Sequence, residues 1–361
     1  MTWPACAAEA ANPSLPEPGS DHPGDGARPA GEDLQIRSGA DGSFSLWSAG
    51  IGEGFHSGRG ALREARETFL QPSQLERFQT SGGVKVVEVC VGTGTNLAVL
   101  LESCRALGLT LEWWGLELTP EPLALALSQP SFRAPWQAGT LQTLERLLAH
   151  GTWNDSRSRG RMLLGDARHT LGSLMQRRRG QVDLIWHDAF SPQRCPQLWT
   201  LEILAALASL LTPDGRWISY CSAAAVREGW RQVGLNLAAL CPPLSAAADA
   251  TRPGIVRGQD RPDKAPEQSS CPAHRGRAWS GGTVASPGPL AAMPRSHPLS
   301  LMEQEHLASA AGEPYRDPSG SATPAAIHAA RRQAQAAALA TGSRGSSSAW
   351  RQRWALAGPS I

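Results

Sequence analysis

The sequence lacks paired cysteines and long apolar runs. Its seven cysteines are scattered, odd in number and without any CxxC pair, which argues against a disulfide framework and against a zinc ribbon. No apolar stretch is long enough to cross a membrane, and no basic segment followed by an apolar run opens the chain of 361 residues. From these absences we expect a cytoplasmic protein with no membrane span and no bound metal.

Acidic residues are concentrated near the N-terminus. Residues 1–42 contain seven acidic and two basic side chains, a net charge of −5, and are rich in proline, glycine and alanine. Because such a segment buries too little apolar surface to offset its chain entropy, we predict a disordered tail. The whole chain carries +2, so the remainder carries +7. This bias is compatible with a polyanionic partner, although an ordinary solvated surface gives the same sum.

Short apolar runs alternate with segments of helical periodicity from residue 84 to about residue 243. The apolar runs predict buried strands, and the segments between them predict helices. This alternation indicates an α/β fold, in which a parallel sheet is covered by helices on both faces. The predicted strands are 84–90, 111–118, 161–166, 182–188 and 216–222, and the predicted helices are 96–107, 120–128, 138–149, 167–176, 197–210 and 223–234.

The alternation then stops, and the composition changes. Residues 244–275 are rich in proline, aspartate, arginine and serine, which predicts a mobile insertion. A late strand or hairpin follows, so we assign residues 43–286 to one domain. Residues 287–361 are expected to form a C-terminal tail with one helix at 323–340, for which Thr323 is a suitable cap.

A glycine turn follows the first predicted strand, in the stretch EVCVGTGTN from Glu88 to Asn96. Gly92 and Gly94 permit backbone conformations that other residues avoid, and they let a ligand approach the main chain beside the free N–H groups of the next helix. A plain strand-to-helix connection would have the same glycines. Leu97 stands where a dinucleotide fingerprint has its third glycine, so the turn does not predict that kind of site.

Carboxylates end three further predicted strands. Glu117 ends the second strand, Asp166 the third and Asp188 the fourth. Since parallel strands end at one edge of the sheet, where such folds bind ligands, the three acidic groups should line one cleft. For Asp166, capping of the helix that follows is an equally good explanation.

This arrangement resembles the class I S-adenosylmethionine-dependent methyltransferases, which have a Rossmann-like, mostly parallel seven-stranded sheet. The shared features are an acidic residue before a GxG turn, an acidic end to strand two and a GD pair after strand three. The resemblance implies that Glu117 binds the ribose hydroxyls, that Asp166 and Ala167 neighbour the adenine, and that the two glycines lie against the methionine part. The implied cofactor-binding residues are Glu88, Gly92, Thr93, Gly94, Asn96, Glu117, Asp166 and Ala167.

Several short motifs also resemble a narrower family, the methyltransferases that form 5-methylaminomethyl-2-thiouridine at the tRNA wobble position, either alone or fused to a flavin-dependent oxidase. The resemblance implies transfer of a methyl group to the primary amine of 5-aminomethyluridine, with the anticodon region of tRNA as partner. No second glycine-rich fingerprint follows residue 240, so we expect the stand-alone transferase, acting as a monomer. The motifs are DAFSP (188–192), FHSGRGALREARETFL (55–70), GTVAS (282–286), EQEHL (303–307) and PYRDP (314–318).

The narrower resemblance implies roles for the acceptor pocket. Asp188 matches the family's catalytic aspartate and would orient the amine and receive its proton. Phe190 and Pro192 would form the wall around the uracil. Glu64 could shape the same pocket, or it could be an exposed helix residue without a function. His187 could shuttle protons, but a histidine at a strand end is more often structural.

Two alternative functions stay open at this stage. The chain could be a class I methyltransferase acting on a small molecule or a protein, which its modest net charge favours. It could also be a non-catalytic binding protein that retains the same fold. The intact glycine turn, Glu117 and Asp188 argue against the second alternative.

Overall fold

The computed structural model describes residues 33–241 and 281–354. The disorder predicted for the first 32 residues and the mobile insertion predicted at 244–275 lie outside the described residues. Within the described ranges the chain forms a three-stranded sheet and a nine-stranded sheet. The strands are β1 (Leu34–Ser38), β2 (Phe44–Ser48), β3 (Glu53–Gly54), β4 (Gly83–Val89), β5 (Thr110–Glu117), β6 (Thr152–Asn154), β7 (Ser158–Leu164), β8 (Val182–His187), β9 (Leu211–Ser219), β10 (Asn236–Leu240), β11 (Gly282–Ser286) and β12 (Ser296–Pro298).

Helices connect most of these strands. Between α1 and α2 the chain forms a π-helix, Ala65–Leu70, and short 3₁₀ helices occur at Leu75–Phe78, Pro196–Trp199 and Ala310–Gly312. The α-helices are α1 (Ala61–Glu64), α2 (Gln71–Ser73), α3 (Thr95–Ala106), α4 (Glu121–Leu127), α5 (Pro130–Arg133), α6 (Ala138–His150), α7 (Ala167–Arg178), α8 (Leu201–Ala208), α9 (Ala224–Gln232), α10 (Leu301–Ala308), α11 (Pro324–Ala340) and α12 (Ser347–Arg353).

The large sheet has the strand order β12-β10-β11-β9-β8-β4-β5-β7-β6. Its five central strands, from β9 to β7 in this order, run parallel, and the outer strands are antiparallel. The predicted α/β class is therefore confirmed, but in the described part of the chain the sheet has nine strands and not seven. The short edge strands β6 and β12 were missed because three residues are too few for a period of two to be recognised.

The central strands are apolar because both faces of the sheet are covered. Val86 and Val87 are consecutive in β4, point to opposite faces and are both fully buried. Val86 packs in a core with Trp113, whereas Val87 packs in a second core with Trp199. Burial on both faces is typical of parallel strands and explains the uninterrupted apolar runs in the sequence.

The segment just before residue 43 is folded, which corrects the prediction of a disordered tail over 1–42. Strand β1 pairs antiparallel with β2, with Leu34 opposite Ser48. Four of the five β1 side chains are exposed, including Ile36 at 49%. The strand is held by backbone pairing and buries little apolar surface, so its composition did not reveal it.

The C-terminal part is more ordered than a tail with one helix. The predicted helix is present as α11, and α10 and α12 were not predicted. Ser300 and Glu303 form a capping box at the start of α10. Trp350 of α12 stacks on His306 of α10, with ring centroids 3.9 Å apart, and donates to the Met302 carbonyl. One aromatic side chain thus anchors a helix whose other residues, apart from Ala349, are polar.

A buried ion pair attaches the C-terminal part to the sheet. The Arg227 guanidinium of α9 lies 2.7 Å from the Glu303 carboxylate of α10, and both side chains are only 1% exposed. Arg227 also donates to the Thr283 hydroxyl and to the Gly282 carbonyl of β11. One guanidinium therefore joins two helices and a strand.

The described part of the chain was compared with the expectations for membrane spans, metal sites and cysteines. No helix in 33–241 or 281–354 has the length and apolar character needed to span a membrane, and no group of three or more potential metal ligands occurs in those ranges. Cys90, Cys104, Cys195 and Cys221 are free thiols, whereas Cys241 is disulfide-bonded.

We predict that Glu303→Gln lowers the free energy of unfolding by about 3 kcal/mol, because it removes the charge that Glu303 places against a buried guanidinium. Urea denaturation monitored by circular dichroism measures the change. Glu145→Gln is the matched control, since Glu145 pairs with Arg133 at the surface and should cost less than about 1 kcal/mol. Equal losses in the two variants would contradict the prediction.

Candidate active site

The glycine turn between β4 and α3 has a backbone that requires glycine. Gly92 and Gly94 have φ angles of 54° and 79°, in the left-handed region. A Cβ on Gly92 would lie 3.1 Å from the Phe55 ring, and a Cβ on Gly94 would lie 2.9 Å from the Leu123 side chain. Cys90 also has a positive φ of 66°, so the turn contains a third left-handed residue that is not glycine. The sequence did not predict this conformation, because residues other than glycine rarely adopt a positive φ.

Glu117 at the end of β5 is held against this turn. One carboxylate oxygen accepts a hydrogen bond from the Gly92 N–H at 2.8 Å, and the other accepts from the Leu118 N–H at 2.7 Å. Burial raises the pKa of Glu117, and these backbone donors oppose that effect. The parallel pairing of β4 with β5 brings the two predicted cofactor-binding elements together.

Two exposed leucines stand beside the acidic strand ends. Leu118 follows Glu117 and is 67% exposed, and Leu164 at the end of β7 is 47% exposed. Glu117 and Leu164 are direct partners in the register of β5 and β7. Exposed apolar side chains next to a fixed carboxylate suit a ligand with a flat apolar ring and a polar sugar. The residues therefore fit an adenosine group, and sequence reasoning missed both leucines because they read as strand ends.

Asp166 caps α7 and forms an ion pair. Its carboxylate accepts from the Arg168 backbone N–H at 2.9 Å and lies 2.6 Å from the Arg168 guanidinium. Burial acts to raise the pKa of Asp166, but the hydrogen bonds and charge of Arg168 outweigh it and hold the pKa below its usual value. Ala167 is the first residue of the helix and is buried. The capping role is thus observed, and contact with adenine stays a prediction.

The other predicted cofactor residues lie within or beneath the turn. Glu88 is fully buried, accepts from the Trp113 indole N–H at 2.9 Å, and has a second oxygen without a hydrogen-bond partner among the described residues. Burial raises its pKa well above the usual value. The Thr93 hydroxyl lies 2.8 Å from that of Thr95, and Asn96 turns its side chain towards the end of β8.

Asp188 follows β8, which pairs with β4 on the side opposite β5. Its backbone N–H donates to the Val89 carbonyl at 3.0 Å, and one of its carboxylate oxygens accepts from the Asn96 amide at 2.8 Å. Burial raises the pKa of Asp188 well above its usual range, and the charge of Glu64 adds to this rise. Asp188 and the glycine turn therefore lie side by side at one edge of the sheet, as the sequence predicts.

Glu64 lies in this region and is not an exposed helix residue. Its side chain is buried at 7% exposure, and its carboxylate accepts from the Ser57 N–H at 3.1 Å. Burial raises its pKa as well. The structure thus excludes the interpretation of Glu64 as a solvated surface carboxylate and leaves its role in the pocket as a prediction.

The loop after β8 is held by Glu53 of the three-stranded N-terminal sheet (β1–β3) and by Phe55, which directly follows that sheet. Phe190 packs edge-to-face on Phe55, with ring centroids 5.1 Å apart and an interplanar angle of 80°. Glu53 accepts from both the N–H and the hydroxyl of Ser191. Pro192 is buried. Glu53 and Phe55 were not predicted, because they lie more than 130 positions from their partners and no spacing rule connects them.

His187 and Cys195 have structural roles. His187 is fully buried and stacks on Trp199 at 4.0 Å, and burial lowers its pKa to about 3. Neither of its ring nitrogens has a hydrogen-bond partner in the described part of the chain. Burial raises the pKa of Cys195 to about 12, so its thiol stays protonated. The structural interpretation of His187 is therefore favoured over a proton shuttle.

Comparison with known proteins agrees with the class that the fold indicates. A family model described as S-adenosyl-L-methionine-dependent methyltransferase matches residues 141–240. The crystal structure of MNMC2 from Aquifex aeolicus has a TM-score of 0.63 with 25% sequence identity, covering 84% of this chain and 85% of that chain. The chain has the architecture of the S-adenosylmethionine-dependent methyltransferases.

The chain is also similar to relatives of known sequence. The tRNA 5-methylaminomethyl-2-thiouridine biosynthesis bifunctional proteins MnmC of Chromobacterium violaceum and of Pseudomonas aeruginosa strain PAO1 are each 30% identical, over 204 and 247 residues. These matches cover 53% and 64% of this chain, and 30% and 35% of the relatives. The chain thus spans about a third of the length of the curated relatives it matches. The predicted resemblance to the wobble-uridine methyltransferase family is confirmed.

We predict that Glu117→Ala weakens binding of S-adenosylhomocysteine by about tenfold or more, because it removes a charged acceptor and releases the Gly92 N–H. Isothermal titration calorimetry measures the affinity. Glu112→Ala is the control, since Glu112 lies at the other end of β5 and pairs with Arg159 and Arg178. A dissociation constant unchanged by Glu117→Ala would contradict the assignment of Glu117 to the ribose.

Proposed function

We propose that the chain transfers the methyl group of S-adenosylmethionine to the primary amine of 5-aminomethyluridine or 5-aminomethyl-2-thiouridine at the tRNA wobble position. The observation that carries the proposal is Asp188, a half-buried carboxylate of raised pKa beside the glycine turn. The MnmC relatives are named for biosynthesis of the corresponding methylated nucleoside, and that name supports the choice of acceptor.

The cofactor-binding residues are proposed from the edge where β4, β5 and β7 end. Glu117 would accept hydrogen bonds from the ribose hydroxyls. Leu118 and Leu164 would cover the adenine, with Asp166 and Ala167 at its edge. Gly92, Thr93 and Gly94 would let the methionine part approach the backbone. When bound, S-adenosylmethionine supplies a methyl group made electrophilic by its sulfonium charge.

Asp188 would act on the acceptor amine. The amine can attack the methyl carbon only through a free lone pair, so the site must hold it in its neutral form. As the carbon–nitrogen bond forms and the carbon–sulfur bond breaks, the nitrogen becomes positive and gives up a proton to the Asp188 carboxylate. A carboxylate of raised pKa is a better proton acceptor than one in water. Phe190, Phe55 and Pro192 would enclose the uracil, with Glu64 nearby, and hold the amine in line.

The partner follows from the proposed acceptor. A tRNA substrate implies a cytoplasmic reaction, and we propose that the protein acts as a monomer on the anticodon region. The Arg194 side chain is exposed and lies against Gly52, beside the loop that carries Ser191, so it is available to a phosphate. Arg331 is less suitable, because it donates to the carbonyls of Ala311 and Glu313 and stacks on a tyrosine.

The assay uses purified protein, labelled S-adenosylmethionine and tRNA from a strain that lacks this methyl group. After digestion to nucleosides, we expect label in 5-methylaminomethyl-2-thiouridine. Label in no nucleoside despite cofactor binding would contradict the proposed function. Label in a small molecule or a protein added instead of tRNA would favour the alternative acceptor classes.

We predict that Asp188→Asn keeps the affinity for S-adenosylhomocysteine and lowers kcat by about 10² or more, because the amide cannot accept the proton. Asp214→Asn is the control, since Asp214 is an exposed residue within β9 and far in sequence from the turn. Retained turnover in Asp188→Asn would refute the role of Asp188, even where the wild type methylates tRNA.

A further inference from the structure

Asn96 belongs to the glycine turn by sequence but contacts the acceptor side of the site. It is the second residue of α3 and is only 4% exposed. Its amide nitrogen donates to the Asp188 Oδ2 atom at 2.8 Å, across 92 positions of the chain. A side chain expected to face the cofactor thus donates one amide N–H to the candidate catalytic carboxylate.

The contact gives the two carboxylate oxygens of Asp188 different surroundings. Oδ2 is engaged by Asn96, and the backbone N–H of Asp188 is fixed by the Val89 carbonyl. No residue of the described ranges donates to Oδ1, and the side chain is only half-buried. One oxygen is therefore held by a hydrogen bond, and the other has no donor among the described residues.

The chemical nature of the donor matters as much as its position. Titratable groups of several elements face Asp188: Glu64 from α1, Glu88 and Cys90 from β4 and the turn, and Tyr220 after β9. None of them is a cation. An arginine or lysine in place of Asn96 would stabilise the carboxylate strongly and make it a poor proton acceptor. A neutral amide orients the carboxylate without removing its basicity.

We infer that Asn96 is a positioning residue, which fixes Asp188 through Oδ2 and so presents Oδ1 to the acceptor amine. The inference rests on the proposed function for the identity of the acceptor. The hydrogen bond between Asn96 and Asp188 is present without any substrate and does not depend on the proposed function. Asn96 acts through Asp188 and touches neither the amine nor the methyl group.

The positioning role predicts a shift in the pH dependence of turnover. The Asn96 hydrogen bond favours the ionised form of Asp188 and lowers its pKa relative to the same site without it. Removal of the amide should raise the pKa of Asp188 further. Because transfer requires the ionised carboxylate, the acid limb of the profile of kcat against pH should move to higher pH.

The test compares Asn96→Ala with the wild type in two measurements. The first is the pH profile of kcat on tRNA, where we expect an acid limb displaced to higher pH and a kcat lower by about 10² at neutral pH, since a misplaced catalytic group costs about that factor. The second is a ¹³C NMR titration of the Asp188 carboxyl, assigned with Asp188→Asn, which needs no substrate and should show the same displacement.

Controls separate positioning from a general structural effect. Asn236→Ala removes an amide that donates to the Pro287 and Gly288 carbonyls at the surface, and it should leave the pH profile in place. Asn96→Ser, which keeps a short hydroxyl donor, should lie between Asn96→Ala and the wild type, and it replaces Asn96→Ala in the test if the alanine variant does not fold.

Two outcomes would overturn the inference. One is an unshifted Asp188 titration in the Asn96 variant. The other is weaker binding of S-adenosylhomocysteine with kcat at saturation unchanged, which would make Asn96 a cofactor-binding residue. A wild type that labels no tRNA would refute the proposed function instead, while the NMR titration would still decide on Asn96.

Discussion

The parallel pairing of β4 with β5 on one side and with β8 on the other is the constraint on which the site depends. All three strands end at the same edge of the sheet, so the glycine turn after β4 is placed between Glu117 and Asp188. Two hydrogen bonds continue this order past the strand ends: the Gly92 N–H donates to the Glu117 carboxylate, and the Asp188 N–H donates to the Val89 carbonyl. A slip of the register on either side would separate the candidate ribose-binding residue or the candidate proton acceptor from the turn.

Peripheral elements complete what the sheet begins. Glu53 of the N-terminal sheet holds Ser191, and Phe55 packs on Phe190 and over Gly92. On the other side of the site, Arg168 joins the Asp166 carboxylate to Asp317 and to the Ala322 carbonyl, so the PYRDP segment is tied to the cofactor edge. Phe55, the first residue of FHSGRGALREARETFL, and Asp317 of PYRDP therefore stabilise elements that carry the site.

The electrostatics of the site also come from this convergence. The charge of Glu64 acts on Asp188, the charge of Asp188 acts on Glu88, and burial is the largest cause of the raised pKa of all three carboxyl groups. In water, each of these carboxylates would be a weak base with an ordinary pKa. Their common burial makes proton uptake favourable where an amine has to lose a proton.

The sequence by itself determined the α/β class, the five central strands, the glycine turn and the positions of Glu117 and Asp188, because long apolar runs and their acidic ends are local signals. Tertiary structure alone decided that β1, β6 and β12 pair, that α10 and α12 pack through Trp350, and that Glu53 and Phe55 reach the site. It also decided that Glu64 is buried and that the Asn96 amide serves Asp188. These facts rest on backbone pairing and on contacts between residues far apart in the chain, and neither leaves a periodic or compositional pattern in the sequence.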